Sequence, residues 1–168
     1  MNENIKLQYF NSDVKISGKH ATYLDELWKQ NNIQESYIRT LYELYPLAAV
    51  IGLKLKKKVE EDKGDVRNIQ LTQLNNVRHD LLHIMKMVLL LDDSTELTKE
   101  ERIERAFSGP KTVEEVQENM DLFNSYVRGG IEYLHEELVE RPVLGEDEYT
   151  DARLANIVAL INNSDFND

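Results

Sequence analysis

Apolar residues recur every three or four positions through the second half of the chain. One set of them forms a continuous stripe: Val116, Met120, Phe123, Val127, Ile131, Leu134 and Leu138. This spacing matches the 3.6-residue repeat of a helix, so we expect one long helix with a buried face between Thr112 and Arg141. Thr112 followed by Glu115 fits a capping box, which marks where that helix begins.

A second stripe of the same kind runs over residues 68–91. Its members are Leu71, Leu74, Val77, Leu81, Met85 and Val88. Two long amphipathic helices bury apolar surface most simply against each other, so we expect this helix to pack antiparallel to the one over 112–140. Thr98 and Glu101 form another capping box, which predicts a short connecting helix over 98–107.

The N-terminal residues follow a different pattern, in which apolar and polar side chains alternate. The alternation continues on both sides of the turn-forming Asn11-Ser12-Asp13. A period of two is typical of strands, so the sequence predicts a small β-hairpin over residues 5–16. An isolated hairpin is marginal in water, and we expect it to pack on the helices.

Shorter amphipathic patterns predict the remaining helices. We expect helices over 21–30 and 35–44, then a break or kink at Pro46 because proline has no amide proton to donate, and a further helix over 47–58. After an acidic loop, Thr150 or Asp151 is suited to cap a last helix.

These elements together define a fold class. The sequence predicts an all-α fold, a helical bundle of five or six helices with a small N-terminal β-hairpin. We expect a single helical domain over residues 1–168, with residues 162–168 as a frayed tail.

Charge restricts the partners that we expect. The chain has 31 acidic and 20 basic residues and a formal net charge of −11. Such a charge repels phosphate backbones, which disfavours direct binding of nucleic acid. We interpret the lysine-rich run over 54–58 as a helix end, where the helix dipole favours cations.

Two absences in the sequence bear on location. There is no cysteine, which excludes disulfides and thiolate chemistry and is compatible with a reducing compartment. No apolar run approaches the roughly eighteen residues of a membrane span, and we find no signal-peptide pattern. We therefore expect a cytoplasmic protein that does not bind membranes.

The sharpest local pattern that bears on chemistry is His79-Asp80-Leu81-Leu82-His83. Two histidines four positions apart share one helix face, and His79, Asp80 and His83 are our candidate ligands for a divalent metal. Because two histidines are too few, His20 or His135 would have to add a ligand from a facing helix. The favoured interpretation is structural, with His79 and His83 at the polar edge of a core helix.

The adjacent pair His79-Asp80 also resembles the HD phosphohydrolases, all-α metalloenzymes in which such a pair joins a distant histidine and a distant aspartate. The resemblance covers these two residues only. It implies a metal-dependent hydrolase with His20 as the upstream histidine and Asp121 or Asp151 as the downstream aspartate.

A second candidate site lies in the long helix. Asn124, Tyr126, Arg128, Gly129 and Gly130 combine polar groups, residue types common at interfaces and a glycine pair, and we predict a partner-binding surface here. Two adjacent glycines inside a helix cost about 1 kcal/mol each relative to alanine. Close packing against another helix backbone, or a kink, would account for that cost without a partner.

No complete catalytic set is apparent, whereas apolar helix faces are plentiful. Our leading hypothesis is therefore a non-enzymatic subunit of a bacterial-type cytoplasmic assembly, without a cofactor, that presents helical faces to a protein partner or to a second copy of itself. A setting in phage defence or nucleic-acid processing is a further expectation. The alternative is a metal-dependent hydrolase, HD-like or with paired histidines in a bundle, that uses His79, Asp80 and His83.

Overall fold

The computed structural model describes residues 7–142 and 152–163, and regular structure within these ranges is mostly helical. The predicted caps Thr150 and Asp151, and most of the predicted frayed tail, lie outside them. The main helices are α1 Lys19–Leu27, α2 Leu41–Lys54, α3 Arg78–Leu91, α4 Lys99–Ser108, α5 Val113–His135 and α6 Ala152–Ile161. Strands β1 Val14–Ser17 and β2 Val66–Ile69 form a small antiparallel sheet. The predicted fold class, an all-α bundle with a small two-stranded sheet near the N-terminus, is confirmed.

The β-hairpin predicted over residues 5–16 does not form, because the strand that pairs with β1 comes from β2, later in the chain. Strand β1 pairs with β2, with Val14 opposite Ile69, and residues 7–10 form turns. Phe10 is buried and has φ of 55°, so the chain turns there and cannot run alongside β1. Pairing with β2 instead adds Ile69, which is only 2% exposed, to the core.

Helix α2 runs through Pro46, so of the two outcomes predicted at that residue, a break or a kink, the break is wrong. Its cap is Thr40, whose side chain accepts a hydrogen bond from the amide of Glu43 at 3.3 Å. The predicted helix over 35–44 is therefore wrong for the residues before this cap. Pro46 lies early in the helix and has no amide proton to donate to the carbonyl of Tyr42. The burial of apolar side chains along α2 offsets the loss of this one hydrogen bond.

Helix α3 begins ten residues later than the predicted start at residue 68, because Asn68 and Ile69 belong to β2. A single helical turn, Leu71–Leu74, and a 3-10 turn, Asn75–Val77, lead into it. The amide of Leu71 donates to the Asp13 carboxylate at 2.8 Å, which ties this turn to the start of β1.

Helix α5 begins as predicted, with the Thr112 side chain accepting from the amide of Glu115 at 3.1 Å. Its main packing partner, however, is α2, and it makes few contacts with α3. The expectation that the two longest predicted helices pack on each other is therefore wrong. Helix α2 is apolar on nearly all sides and contains Gly52, which lets the backbones of α2 and α5 come much closer than the larger side chains of α3 would.

The glycines of α2 and α5 form a reciprocal contact. A Cβ atom at Gly52 would lie 1.9 Å from the carbonyl oxygen of Tyr126, and one at Gly130 would lie 1.9 Å from that of Ala48. A Cβ atom at Gly129 would likewise lie 1.9 Å from the carbonyl oxygen of Lys57. Close backbone packing therefore accounts for the glycine pair in α5.

The lengths and compositions of the described helices also bear on membranes. Among them, none is both long and apolar enough to cross a bilayer.

Candidate functional site

The candidate metal ligands lie on the outer surface of α3. His79, Asp80 and His83 are all exposed, and the rings of the two histidines meet edge to face with centroids 4.3 Å apart. Across residues 7–142 and 152–163, no group of three or more His, Cys, Asp or Glu side chains is placed so that it could hold a metal. The structure thus brings together two of the predicted ligands and supplies no third from the described residues.

His20, one of the histidines considered as a third ligand, is instead buried between α1 and α5. Its Nε2 atom lies 3.3 Å from Oε1 of Glu132, and its Nδ1 atom has no hydrogen-bond partner among the described residues. Burial lowers the pKa of His20, and the nearby Glu132 carboxylate only partly opposes this effect. The neutral imidazole is therefore the favoured form in the folded protein.

Glu132 is the centre of a small charge cluster. Lys19 Nζ lies 2.6 Å from Oε1 of Glu132, and Lys57 Nζ lies 3.2 Å from Oε2. Burial alone would raise the pKa of Glu132, but the two lysines outweigh it and hold this pKa below the ordinary value. The cluster joins three parts of the chain, namely α1, α5 and the segment that follows α2. Its role is therefore structural.

His135, the other histidine considered as a third ligand, contacts a different set of side chains from His20. Its ring stacks on that of Tyr23 with centroids 3.9 Å apart and planes inclined by 16°. Its Nε2 atom contacts a carboxylate oxygen of Glu26, and its Nδ1 atom lies 3.5 Å from Oε1 of Glu140. His20 and His135 are thus both paired with carboxylates away from the candidate pair on α3.

The HD-like arrangement is not assembled by the described residues. Asp121 is exposed on α5 and accepts a hydrogen bond from the Gln117 side chain at 2.8 Å, while the other candidate aspartate, Asp151, lies outside the described residues. His20, the proposed upstream histidine, is committed to Glu132. The resemblance therefore stays confined to His79-Asp80.

The predicted partner-binding residues of α5 make contacts within the chain. Asn124 accepts a hydrogen bond from the Tyr45 hydroxyl at 2.6 Å, and Arg128 Nε donates to the carbonyl of Val59 at 2.7 Å. Gly129 and Gly130 are covered by the chain's own backbone. A partner-binding role for these residues stays a prediction, and the surface that they leave for a partner is small.

Tyr126, the remaining member of that set, belongs to a buried network that the sequence did not indicate. Its hydroxyl donates to Asp92 at 2.6 Å, and Ser94 Oγ and Lys58 Nζ reach the same carboxylate. Burial alone would raise the pKa of Asp92, which is only 1% exposed, but these hydrogen bonds together hold it below the ordinary value. Tyr126 lies 34 positions from Asp92 in the sequence, so no local pattern could have indicated this pair.

The lysine-rich run after α2 is paired with carboxylates. Lys56 contacts Asp93 at 2.5 Å, and Lys58 contacts Asp92 at 3.2 Å. Together with the Lys57–Glu132 pair, these contacts neutralise most of the run. Helix α2 ends at Lys54, so only this lysine lies in a last turn as expected, and the predicted helix end at residue 58 is wrong. The positive charge of Lys56, Lys57 and Lys58 serves the fold through these carboxylates.

An open cleft of about 620 Å³ lies between α4 and α5. At its base Arg105 Nε donates to the Asn119 side chain at 2.8 Å, and Asn119 in turn donates to the Tyr9 hydroxyl at 2.6 Å. Several carboxylates line it, but Glu101 caps α4 and Glu104 pairs with Lys111 at 3.0 Å. Its polar groups thus mainly hold the ends of α4 and α5 in place.

Helix α6 presents the clearest unexplained surface. Leu154, Val158 and Ile161 are 57%, 48% and 66% exposed, and their spacing places them on one side of the helix. We call these three residues the α6 stripe. Ile157 and Leu160 flank this stripe and are partly buried against the core, while the side opposite the stripe carries the buried Asn156. The described residues therefore cover one side of α6 and leave the apolar α6 stripe uncovered.

Polar contacts fix the direction in which α6 faces. The Asn156 side chain is buried and donates to the carbonyl of Leu138 at 3.0 Å. Arg153 Nη1 donates to the carbonyls of Ile33 and Ser36 at 3.3 and 3.0 Å. These bonds hold Asn156 against the protein and leave the α6 stripe facing outwards.

Fold and surface together describe an acidic helical bundle in which helix α6 carries an outward apolar stripe. Comparison with protein-family models, curated proteins and solved structures finds no match to this chain. The function is therefore inferred from the chain's own surface and contacts.

Proposed function

We propose that this chain is a non-enzymatic interaction subunit that binds a helix of another polypeptide through the α6 stripe. The observation that carries this proposal is the outward position of Leu154, Val158 and Ile161 on a helix whose opposite side is already buried. Exposed apolar side chains that cluster on one helix face often mark a site where another protein binds. A second polypeptide would supply the missing cover.

The pattern of the stripe indicates the shape of its partner. Anchor residues at i, i+4 and i+7 are the arrangement through which a helix packs along another helix or into an apolar groove.

The metal-dependent hydrolase remains the alternative prediction. The proximity of His79 and His83 is the observation that favours it. Metal analysis of the purified protein tests it, because a bound metal lost on replacing both histidines with alanine would favour the enzyme. The expected setting in phage defence or nucleic-acid processing gains no support from the described surface.

The interaction proposal is tested with Val158→Glu, which places a charge in the middle of the stripe. We expect proteins that co-purify stoichiometrically with the tagged full chain from its native host to be lost with this variant, because a buried unpaired carboxylate opposes binding. Quantitative mass spectrometry of the captured material measures the loss.

A matched control is Val113→Glu, which makes the same change at a residue 49% exposed at the start of α5. Its captured proteins should equal those of the wild type, and circular dichroism should show both variants folded. Identical captured proteins for wild type and Val158→Glu would contradict the proposal.

A further inference from the structure

We infer that His79 and His83 of α3 together bind one divalent transition-metal ion at the protein surface, with water in its remaining coordination positions. This inference goes beyond the proposed function and does not depend on it, because the α6 stripe lies on another helix. It also differs from the hydrolase alternative, since it gives the ion two protein ligands and assigns it no reaction.

The rings of His79 and His83 are available to an ion. Among the described residues, neither ring makes a hydrogen bond or an ion pair, and their ring contact is with each other. The chain has four histidines, and the other two, His20 and His135, are buried against carboxylates. The imidazole nitrogens that a metal ion requires are therefore offered at positions 79 and 83.

The spacing of the two rings suits a shared ion. Residues four positions apart lie about 6 Å apart along a helix axis and project from the same face. The two ring centroids are already 4.3 Å apart. Two imidazole nitrogens on one ion lie about 3 Å from each other, because each is about 2.0–2.1 Å from the metal. Exposed side chains rotate readily, so we expect the chelate to form without movement of the backbone.

The remainder of α3 holds the two positions in place. On the side opposite the histidines, Leu81, Met85 and Val88 are fully buried, which fixes the helix against the core. Because both backbone positions are ordered beforehand, binding loses little conformational entropy.

The charge of the chain favours a cation at this place. The net charge of −11 attracts cations at long range. The positive end of a helix dipole disfavours a cation, and His79 lies at that end of α3, but the carboxylate of Asp80 in the same turn opposes the effect.

The two cationic side chains of α3 are engaged by other parts of the chain. Arg78 Nη1 donates to the carbonyl of Phe10 at 2.7 Å, and Lys86 Nζ lies 5.5 Å from the ring centroid of Phe107 on α4. Neither ammonium nor guanidinium group is thus held by the histidine pair.

Imidazole nitrogen selects the class of ion. It suits Cu²⁺, Ni²⁺ and Zn²⁺, whereas Mg²⁺ and Ca²⁺ prefer oxygen ligands. Affinity for first-row divalent ions generally rises towards copper, so Cu²⁺ should bind most tightly. Two protein ligands are too few for the closed site of a structural metal. We therefore expect an exchangeable ion, held much more weakly than a structural zinc and removed by a chelator.

Isothermal titration calorimetry with NiCl₂ tests the site. The untagged full-length chain is used at about pH 7.5, because metal binding needs neutral imidazoles and a histidine tag would itself bind nickel. We expect one Ni²⁺ per chain. Either His79→Gln or His83→Gln should weaken binding by at least about tenfold, since a single imidazole remains as ligand.

A matched control keeps two exposed histidines on α3 but separates them. His83→Gln combined with Lys86→His leaves the rings about 10.5 Å apart along the helix axis, too far for one ion. This variant should bind Ni²⁺ no better than His83→Gln alone. Positions 79, 83 and 86 are exposed, and circular dichroism checks that every variant is folded.

Nuclear magnetic resonance locates the ion. Cu²⁺ is paramagnetic and broadens the signals of nearby protons, so a substoichiometric amount should remove the imidazole signals of two of the four histidines first. These should be the two signals that are missing from the double variant His79→Gln with His83→Gln.

The inference would be overturned by a wild type that binds no Ni²⁺ up to about 1 mM, by binding that is unchanged in the double variant, or by equal binding to the wild type and the separated-histidine control. A metal that stays bound through dialysis against EDTA would also contradict it, because such retention requires further protein ligands and would favour the hydrolase alternative. None of these results alters the proteins captured through Val158, so the proposed function stands or fails separately.

Discussion

At the scale of single residues, His20 gives the clearest link between burial and pH. Its neutral ring is favoured by burial, which Lys19 and Arg128 reinforce and Glu132 opposes. Asp62, in the segment after α2, also interacts with it electrostatically. The pKa of His20 in the folded protein lies below its ordinary value, so the unfolded chain takes up this proton at a higher pH than the folded protein.

We therefore expect the free energy of unfolding to fall as the pH decreases from about 6.5, the ordinary histidine pKa, towards the lowered pKa of His20. His20→Gln removes the titrating group but keeps a donor for Glu132, so it should flatten the pH dependence in this window. Urea denaturation at a series of pH values measures the effect.

The exposed His79 supplies the control for this experiment. His79→Gln makes the same substitution at an exposed ring away from Glu132, and its stability is measured over the same pH series. If His20→Gln and the wild type lose stability in parallel between pH 7 and pH 5, the burial of a neutral His20 is not the cause.

The role of His20 could not be predicted from the sequence, and the reason is distance along the chain. Its partner Glu132 lies 112 positions away, so no local pattern relates the two. The same holds for Tyr126 and Asp92, which are 34 positions apart. By contrast, His79 and His83 are only four positions apart in the sequence, and they do share one exposed helix face as predicted.

At the scale of elements, the capping residues were the most reliable signals. Thr98 with Glu101 and Thr112 with Glu115 begin α4 and α5 where the sequence placed them. Thr40 with Glu43 follows the same rule. This cap was not predicted, because the amphipathic pattern over 35–44 runs across it and Pro46 favoured a break shortly after it. Caps act through neighbouring residues, which is why the sequence reveals them.

The packing partner of α5 was harder to predict, because Gly52 lies in a stretch that is apolar on nearly all sides. Such a stretch has no distinct face from which to choose a neighbour. Helix α2 becomes the neighbour of α5 because Gly52 lies close to Tyr126 and Gly130 lies close to Ala48. These contacts depend on the geometry of the backbone, which the spacing of apolar residues does not reveal.

This contact predicts the effect of Gly130→Ala. In an open helix the change would stabilise the protein by up to about 1 kcal/mol. Here the new Cβ atom would lie 1.9 Å from the Ala48 carbonyl oxygen, and backbone cannot move aside as a side chain can. We expect a loss of about 3 kcal/mol in the free energy of unfolding, measured by urea denaturation.

Glu118→Ala, at an exposed position of the same helix, controls for the effect of alanine on α5 itself. It should change stability by no more than about 0.5 kcal/mol. A Gly130→Ala protein as stable as the wild type would show that α2 and α5 do not approach as closely as described.

At the scale of the whole molecule, net charge and ion pairing act in the same direction. The chain carries a formal net charge of −11, and Lys56, Lys57 and Lys58 are already paired with carboxylates. These three lysines therefore offer little free positive charge to a phosphate backbone, and both facts support the expectation that nucleic acid is not bound directly.

We expect no change in the fluorescence anisotropy of a labelled DNA duplex titrated with the protein at about 0.05 M salt, where electrostatic binding would be strongest. The triple variant with Lys54, Lys57 and Lys58 replaced by glutamine serves as the comparison. Binding by the wild type that weakens with salt and is lost in the triple variant would contradict the expectation.

The pairing of β1 with β2 has a consequence for how the protein is made. Val14 pairs with Ile69, so on the ribosome the first strand emerges well before its neighbour has been synthesised. Helices α1 and α2 are translated in the interval and, being local structures, can form without waiting for later residues. Closure of the small sheet therefore has to wait until Ile69 has left the exit tunnel, by which time both helices have been translated.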